Sequence, residues 1–168
     1  ERPAALIASP VLRARQTADA IAAGFDPILE VQLDPAIGET HLPQWQGRLV
    51  TDIEAYEPTW PQFFQAPADY RYPGGETNRE LQSRVVAAVQ GIRQRYAYLE
   101  GAVILVAHAD PIRCLIAHFL GLDVALFYRL RIGTGSISRL SLPALDAQDR
   151  SARPRLDFMN LAVGDNTT

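Results

Sequence analysis

The sequence predicts an α/β domain built around a parallel or mixed sheet. Short apolar strands alternate with helical stretches along the chain, which is the order typical of this class. The run Val103–Val106 is entirely aliphatic, as expected for a strand buried on both faces of a parallel sheet. With 168 residues, 48% of them hydrophobic, the chain can form one domain with a sizeable core. We therefore treat residues 1–168 as a single domain.

The run Val103–Val106 leads directly to the first candidate for chemistry, His108. A helix is predicted to begin almost at once, with Asp110 as its cap and Pro111 in its first turn. This arrangement predicts His108 at the carboxyl end of a central strand, facing a helix N-terminus. Ligands bind at that edge of α/β sheets, and helix N-termini attract anions. We expect His108 to act on an anionic substrate such as a phosphate; a buried core histidine is the alternative.

The other elements are predicted from hydrophobic periodicity and from glycine and proline punctuation. A capping-box pattern at Thr77–Glu80 opens the longest helix. The segment Pro58–Gly75, rich in proline and aromatic residues, is predicted to form a lid or side wall over the sheet edge. The remaining predictions are strands at Ala4–Ser9, Ile28–Leu33 (nearer an edge), Ser136–Leu142 and Arg155–Leu161, and helices at Leu12–Ala23 (opened by Ser9 and Pro10), Arg48–Tyr56, Leu81–Leu99 and Asp123–Tyr128.

Composition excludes several classes of function. The net charge is -3 and no basic block is present, which argues against binding to nucleic acid. The single cysteine, Cys114, falls on an apolar helix face, which predicts buried packing. The three histidines lack the short spacing of a metal site, so neither a metal nor a cofactor is expected. No membrane-length apolar run or signal peptide is visible, and we expect a soluble, cytoplasmic protein.

Arg13 is the second candidate, because it also follows a predicted strand and lies in the first turn of a helix. A guanidinium there can bind phosphate oxygens in a bidentate pair. An exposed arginine on a solvated helix face is the alternative. His41 and His118 are interpreted as an ordinary loop residue and an ordinary helix residue.

Four segments, in order, resemble motifs of the histidine phosphatase superfamily, which includes cofactor-dependent phosphoglycerate mutases. Ser9–Ala18 resembles that family's Ser-Pro-Leu-x-Arg-Ala-x-Gln-Thr-Ala motif. Glu39 with Trp45 and Gly47 resembles its Glu…Gly-x-Trp-x-Gly segment. Tyr72–Thr77 resembles its Pro-Gly-Gly-Glu-Ser motif, and Val103–Arg113 resembles its second-histidine strand.

The resemblance implies a three-layer α/β/α fold with a mostly parallel sheet, phosphoglycerate mutase-like. It also implies roles for four residues. Arg13 and Ala109 would bind phosphate, Glu39 would donate a proton to the leaving oxygen, and His108 would be the second active-site histidine, which stabilises the transferring phosphoryl group. The implied activity is phosphomonoester hydrolysis through a phosphohistidine, with a small phosphorylated substrate as the partner.

Three departures from the family pattern affect this prediction. Ala109 and Asp110 stand where the family has small residues, often two glycines, and Pro43 replaces the first glycine of the tryptophan segment. The family's Arg-His-Gly motif, which carries the nucleophilic histidine on the first strand, does not occur in residues 1–168. We therefore expect the nucleophile, with the first strand and helix of the domain, upstream of Glu1.

Two alternative functions follow from the same residues. A mutase would return the phosphoryl group to a sugar acid, and an inactive phosphate-binding or interaction module would need no nucleophile. The chain as written, lacking the nucleophile, is expected to be inactive alone. A missing strand would leave a sheet edge open, so we also expect another copy of the chain to cover that edge in a homo-oligomer.

Overall fold

The structure, a computed structural model, describes residues 2–99, 101–145 and 152–162 and confirms the α/β prediction. Two 3-10 turns, Pro35–Ile37 and Val124–Arg129, accompany the main elements; the second replaces the short helix predicted at Asp123–Tyr128. The described strands and helices are β1 (Ala5–Ala8), α1 (Leu12–Ala23), β2 (Val31–Leu33), α2 (Val50–Tyr56), α3 (Trp60–Gln65), α4 (Asn78–Arg95), β3 (Val103–Val106), α5 (Ala109–Phe119), β4 (Ser136–Ser141) and β5 (Arg155–Ala162).

Strands β2, β1 and β3 form a parallel sheet in that order. All four residues of β1 are buried, whereas Val103, Ile104 and Leu105 of β3 are half-buried. In the described part of the chain β2 lies at an edge of the sheet, as predicted. Within the described residues β3 pairs with β1 on one side only, so the central position of Val103–Val106, which needs a further strand on its other side, stays a prediction. An aliphatic run indicates that both faces of a strand are covered, but it does not show how many strands pair with it.

The sheet lies between two helical layers. Leu6 and Ala8 of β1 pack with α1, whose Ala14 and Ala18 are buried against them. Ile7 faces the other way, in a cluster with Ile37 and with Ile92 of α4. Alternate side chains of a strand point to opposite faces, so β1 supplies both cores. This arrangement is the predicted α/β/α layering.

Helices α4 and α5 share a second core on the α4 side. Leu81 and Val85 of α4 contact the fully buried Cys114 of α5 and Phe127 of the second 3-10 turn. The prediction that Cys114 packs in the core is confirmed. Burial raises the pKa of its thiol to about 12, which leaves the thiol protonated and unreactive at neutral pH.

Strands β4 and β5 pair antiparallel and, in the described part of the chain, form a sheet of their own. Ile137 and Leu161 lie opposite each other in the register, and each side chain is about half exposed. The covering of the sheet edge by a second copy stays a prediction. Across the described residues, no helix is both long and apolar enough to traverse a bilayer.

Two helix starts differ from their predictions, and a third agrees. Helix α1 begins at Leu12, without a side-chain cap, so Ser9 does not cap it. Helix α5 begins at Ala109, which places Asp110 inside the first turn rather than at the cap. In both places the polar side chain also bonds to a residue far away in the chain. The capping box of α4 is confirmed: Thr77 accepts from the Glu80 N–H, and Glu80 bonds back to the Thr77 N–H.

The aromatic residues of Pro58–Gly75 pack mainly against each other and against Trp45. Trp45, Tyr70 and Tyr72 are each about 95% buried, with the Trp45 and Tyr72 ring centres 5.3 Å apart. Phe63 stacks on Trp60 at 5.5 Å. The segment is therefore a small satellite core, and its aromatic rings are largely used in packing.

Candidate active site

His108 lies directly beyond β3, as the N-cap residue of α5, with its side chain almost fully buried. Its Nε2 is 2.8 Å from the hydroxyl of Ser9, which follows β1 and is completely buried. Strands β1 and β3 are parallel neighbours, so their carboxyl ends meet at one edge of the sheet. The sheet thus brings together two residues 99 positions apart.

Ser9 fixes the orientation of the His108 ring. The Ser9 Oγ accepts from the Val11 N–H at 3.3 Å and still has a proton and a lone pair for His108 Nε2, so which of the two atoms donates depends on the ring tautomer. The other ring nitrogen, Nδ1, faces Glu39 Oε2 at 3.8 Å. The ring is therefore held between the buried Ser9 hydroxyl and the Glu39 carboxyl group.

Burial is the main reason that the pKa of His108 falls to about 4, and the positive charge of Arg13 lowers it further. The ring is neutral at physiological pH. A phosphate placed beside it would bring negative charge and favour the protonated ring. Binding of an anion would therefore raise the pKa of His108.

Glu39 and Arg13 complete the cluster around His108. Arg13, in the first turn of α1, has Nη2 3.5 Å from Glu39 Oε2, and its side chain is 64% exposed. Such an exposed and long ion pair contributes little stability, and the guanidinium is available to a ligand. Burial raises the pKa of Glu39; the Thr40 N–H and the charges of Arg13 and Arg113 oppose the increase, and the charge of Asp110 adds to it. A raised pKa is what a proton donor requires.

The loop that carries Glu39 is held from behind by Arg84 of α4. The Arg84 guanidinium donates to three backbone carbonyls, those of Ala36, Gly38 and Glu39, at 2.9 to 3.4 Å. It also pairs with Glu76 at 2.6 Å, and the Glu76 carboxylate accepts from the His41 N–H at 2.8 Å. Both ends of the loop are therefore attached to one ion pair.

A second set of contacts joins this loop to α5. The Thr40 hydroxyl donates to Asp110 Oδ2 at 3.2 Å, and Arg113 donates to Asp110 Oδ1 at 2.7 Å. Sequence reasoning interpreted Asp110 as a cap and assigned no role to Thr40. The Asp110–Arg113 contact could have been predicted, because an acidic residue three positions before an arginine on a helix is placed to pair with it.

The structure thus brings Arg13, Glu39 and His108 together at the carboxyl edge of the sheet. Ala109 begins α5 beside them, where the first backbone N–H groups of a helix have no partner within it. His41 is exposed, and it contributes to the loop through its backbone. His118 is exposed about 15 Å away along α5. The side chains of both histidines therefore lie outside the cluster, in agreement with their interpretation as ordinary loop and helix residues.

Comparison with known proteins identifies the class. A family model for the histidine phosphatase superfamily (branch 1) matches residues 1–147. The chain belongs to this superfamily, whose members here are phosphatases or mutases.

Curated relatives of this chain include probable phosphoglycerate mutases. A protein of Serratia proteamaculans named probable phosphoglycerate mutase GpmB is 33% identical over 137 residues, which cover 80% of this chain and 61% of that relative. The chain therefore spans about three fifths of the length of the curated relatives it matches.

Solved structures show the same fold. A mycobacterial glucosyl-3-phosphoglycerate phosphatase superposes with a TM-score of 0.81 at 30% identity, covering 96% of this chain and 79% of that one. The same phosphatase is known in complex with inorganic phosphate. An Escherichia coli protein described as a putative alpha-ribazole-5'-P phosphatase has a TM-score of 0.79 at 19% identity, covers 98% of this chain and 76% of that one, and shares the fold alone.

Proposed function

We propose that the full-length protein hydrolyses a small phosphomonoester through a phosphohistidine intermediate. The observation that carries the proposal is the cluster at the sheet edge in which Glu39 Oε2 lies within 4 Å of both Arg13 Nη2 and His108 Nδ1. The three groups offer a positive charge, a neutral N–H donor and a carboxyl group with a raised pKa. This is the set that phosphoryl transfer with a protonated leaving group requires.

In the first step, a histidine upstream of residue 1 attacks the phosphorus atom, and an N–P bond forms as the bond to the leaving oxygen breaks. Glu39 gives its proton to that oxygen, so the product leaves as an alcohol. Arg13, the ring N–H of His108 and the first N–H groups of α5, beginning with Ala109, neutralise the charge on the equatorial oxygens. Positioning and electrostatics supply the rate acceleration.

In the second step, Glu39 is ionised and acts as a base. It takes a proton from water as the water oxygen attacks phosphorus, the N–P bond breaks, and inorganic phosphate and the free histidine remain. The carboxyl group thereby returns to its protonated form. The two steps balance without a metal or an external cofactor.

Trapping of acid-labile phosphate on the full-length protein tests this proposal. Wild-type protein quenched during turnover should carry acid-labile phosphate, and Arg13→Ala or His108→Ala should lower the rate of labelling by about 100-fold or more. His118→Ala, an exposed histidine on the same helix, is the matched control and should label normally. Turnover that survives both Arg13→Ala and His108→Ala unchanged would contradict the site.

The mutase reaction is the second candidate, supported by the name of the Serratia proteamaculans relative. The two reactions differ only in the acceptor of the phosphoryl group, which is water or a sugar acid. Phosphorus NMR of the full-length protein with 3-phosphoglycerate separates them. Inorganic phosphate should accumulate if the protein is a phosphatase, and 2-phosphoglycerate should appear if it is a mutase.

A further inference from the structure

Asp110 is a half-buried carboxylate whose two oxygens are held by two different parts of the fold. Its Oδ2 accepts from the Thr40 hydroxyl at 3.2 Å, and its Oδ1 accepts from Arg113 Nη1 at 2.7 Å. Arg113 is fixed in turn, because its Nε donates to the carbonyl of Leu130 at 2.8 Å, beyond the second 3-10 turn. The carboxylate therefore has a defined position.

Thr40 transmits that position to Glu39. The Thr40 side chain is buried, and its backbone N–H donates to Glu39 Oε1 at 3.0 Å. One residue thus binds the Glu39 carboxylate with its N–H and the Asp110 carboxylate with its hydroxyl. A continuous series of hydrogen bonds runs from α5 to the acid, and Asp110 is the member that joins the helix to the loop.

We propose that Asp110 is a positioning residue for the proton donor. Through Thr40 it holds the Glu39 carboxyl group where that group can protonate the leaving oxygen. This inference rests on the phosphatase function proposed above. Asp110 needs no contact with the substrate for this role. The negative charge of Asp110 has a second effect in the same direction, since after burial it is among the causes that raise the pKa of Glu39.

A misplaced acid has a characteristic kinetic consequence. A strongly basic leaving group, such as an alkoxide, needs the proton in the transition state, whereas 2,4-dinitrophenolate leaves readily without it. Loss of Asp110 should therefore slow the hydrolysis of alkyl phosphates and leave that of activated aryl phosphates nearly unchanged. A residue that only stabilises the fold would lower the rate for both classes equally.

The test measures kcat/KM of the full-length protein with glycerol phosphate, phenyl phosphate and 2,4-dinitrophenyl phosphate. This parameter includes only the steps up to formation of the phosphoenzyme, in which Glu39 acts as an acid. For Asp110→Ala and for Thr40→Val we expect a fall of about 10- to 100-fold with glycerol phosphate and of less than about 3-fold with the dinitrophenyl ester. Equal losses across the three esters would overturn the proposal.

A double-mutant cycle distinguishes one connected path from two separate effects. Thr40→Val is nearly isosteric and keeps the backbone N–H, so it tests the path without a large cavity. The double variant should be no slower than the slower single variant, because both substitutions break the same series of bonds. Additive losses would contradict a path through Thr40. Thr40→Ser keeps the hydroxyl and should restore the wild-type dependence on the leaving group.

The surface variant Asp69→Ala, which removes an exposed ion pair with Arg79, is the matched control and should leave all three rates unchanged. A wild-type protein that forms no phosphoenzyme would refute the proposed function itself. An active wild type whose Asp110→Ala variant loses activity uniformly would refute only the positioning role.

Discussion

Acid should destabilise the folded protein through His108. The ring has a pKa of about 4 when folded, mainly because it is desolvated, against 6.5 for a histidine in water. The unfolded chain therefore binds a proton more readily than the folded chain as the pH falls from 6.5 toward 4. The stability contributed by the neutral ring is fully present above the unfolded pKa and is lost below it. The loss is about 2 kcal/mol between about pH 7 and pH 5, and about 3 kcal/mol by about pH 4.

Urea unfolding of the full-length protein at these pH values measures the effect. His108→Gln removes the titrating group, and its side-chain amide can still form a hydrogen bond with Ser9. Because Glu39 has a raised pKa and acts in the opposite direction, the relevant quantity is the difference between wild type and variant at each pH. That difference should shrink by about 2 kcal/mol from about pH 7 to pH 5. His118→Gln, on an exposed residue, is the control and should behave as wild type. A difference that stays constant with pH would refute the assignment of a buried neutral ring.

Three further predictions concern the scaffold, each measured by urea unfolding. A Cβ on Gly75 would lie 1.9 Å from the carbonyl oxygen of His41, so Gly75→Ala should cost about 2 kcal/mol or more, whereas Gly91→Ala, in open space on α4, should stabilise by about 0.5 to 1 kcal/mol. Thr77→Ala removes the cap of α4 and should cost about 1 kcal/mol; Thr77→Ser should restore most of it. Leu81→Ala, at a fully buried position, should cost about 2 to 5 kcal/mol, and a loss below 1 kcal/mol would contradict its place in the core.

The sequence predicted those features that depend on local periodicity. The capping box at Thr77 and the apolar spacing after it identify α4, and the two strand-to-helix transitions identify Arg13 and His108 without reference to any family. Glu39 was different, because a carboxylate in a loop has no local pattern. Only the resemblance to the family pointed to it.

The contacts that organise the site could not be predicted, because they join residues far apart in the chain. Ser9 was interpreted as a helix cap and proved to be the partner of His108. Asp110 was interpreted in the same way and proved to bind Thr40. A short polar side chain beside a helix start has local partners that the sequence shows and distant partners that only the fold reveals. In both cases the side chain binds a distant partner in addition to a local one, Val11 for Ser9 and Arg113 for Asp110.

The burial of β1 has a consequence for motion in the site. A central strand, paired on both sides and covered on both faces, is the kind of element whose amides exchange with solvent only when the whole domain opens. Ser9 follows that strand directly, so the hydroxyl that orients His108 is attached to an element whose amides we expect to exchange slowly. Glu39 instead belongs to a half-buried loop that is held by side-chain hydrogen bonds from Arg84 and Thr40 and not by strand pairing. We therefore expect the Glu39 carboxyl group to move more than the His108 ring when the site fluctuates.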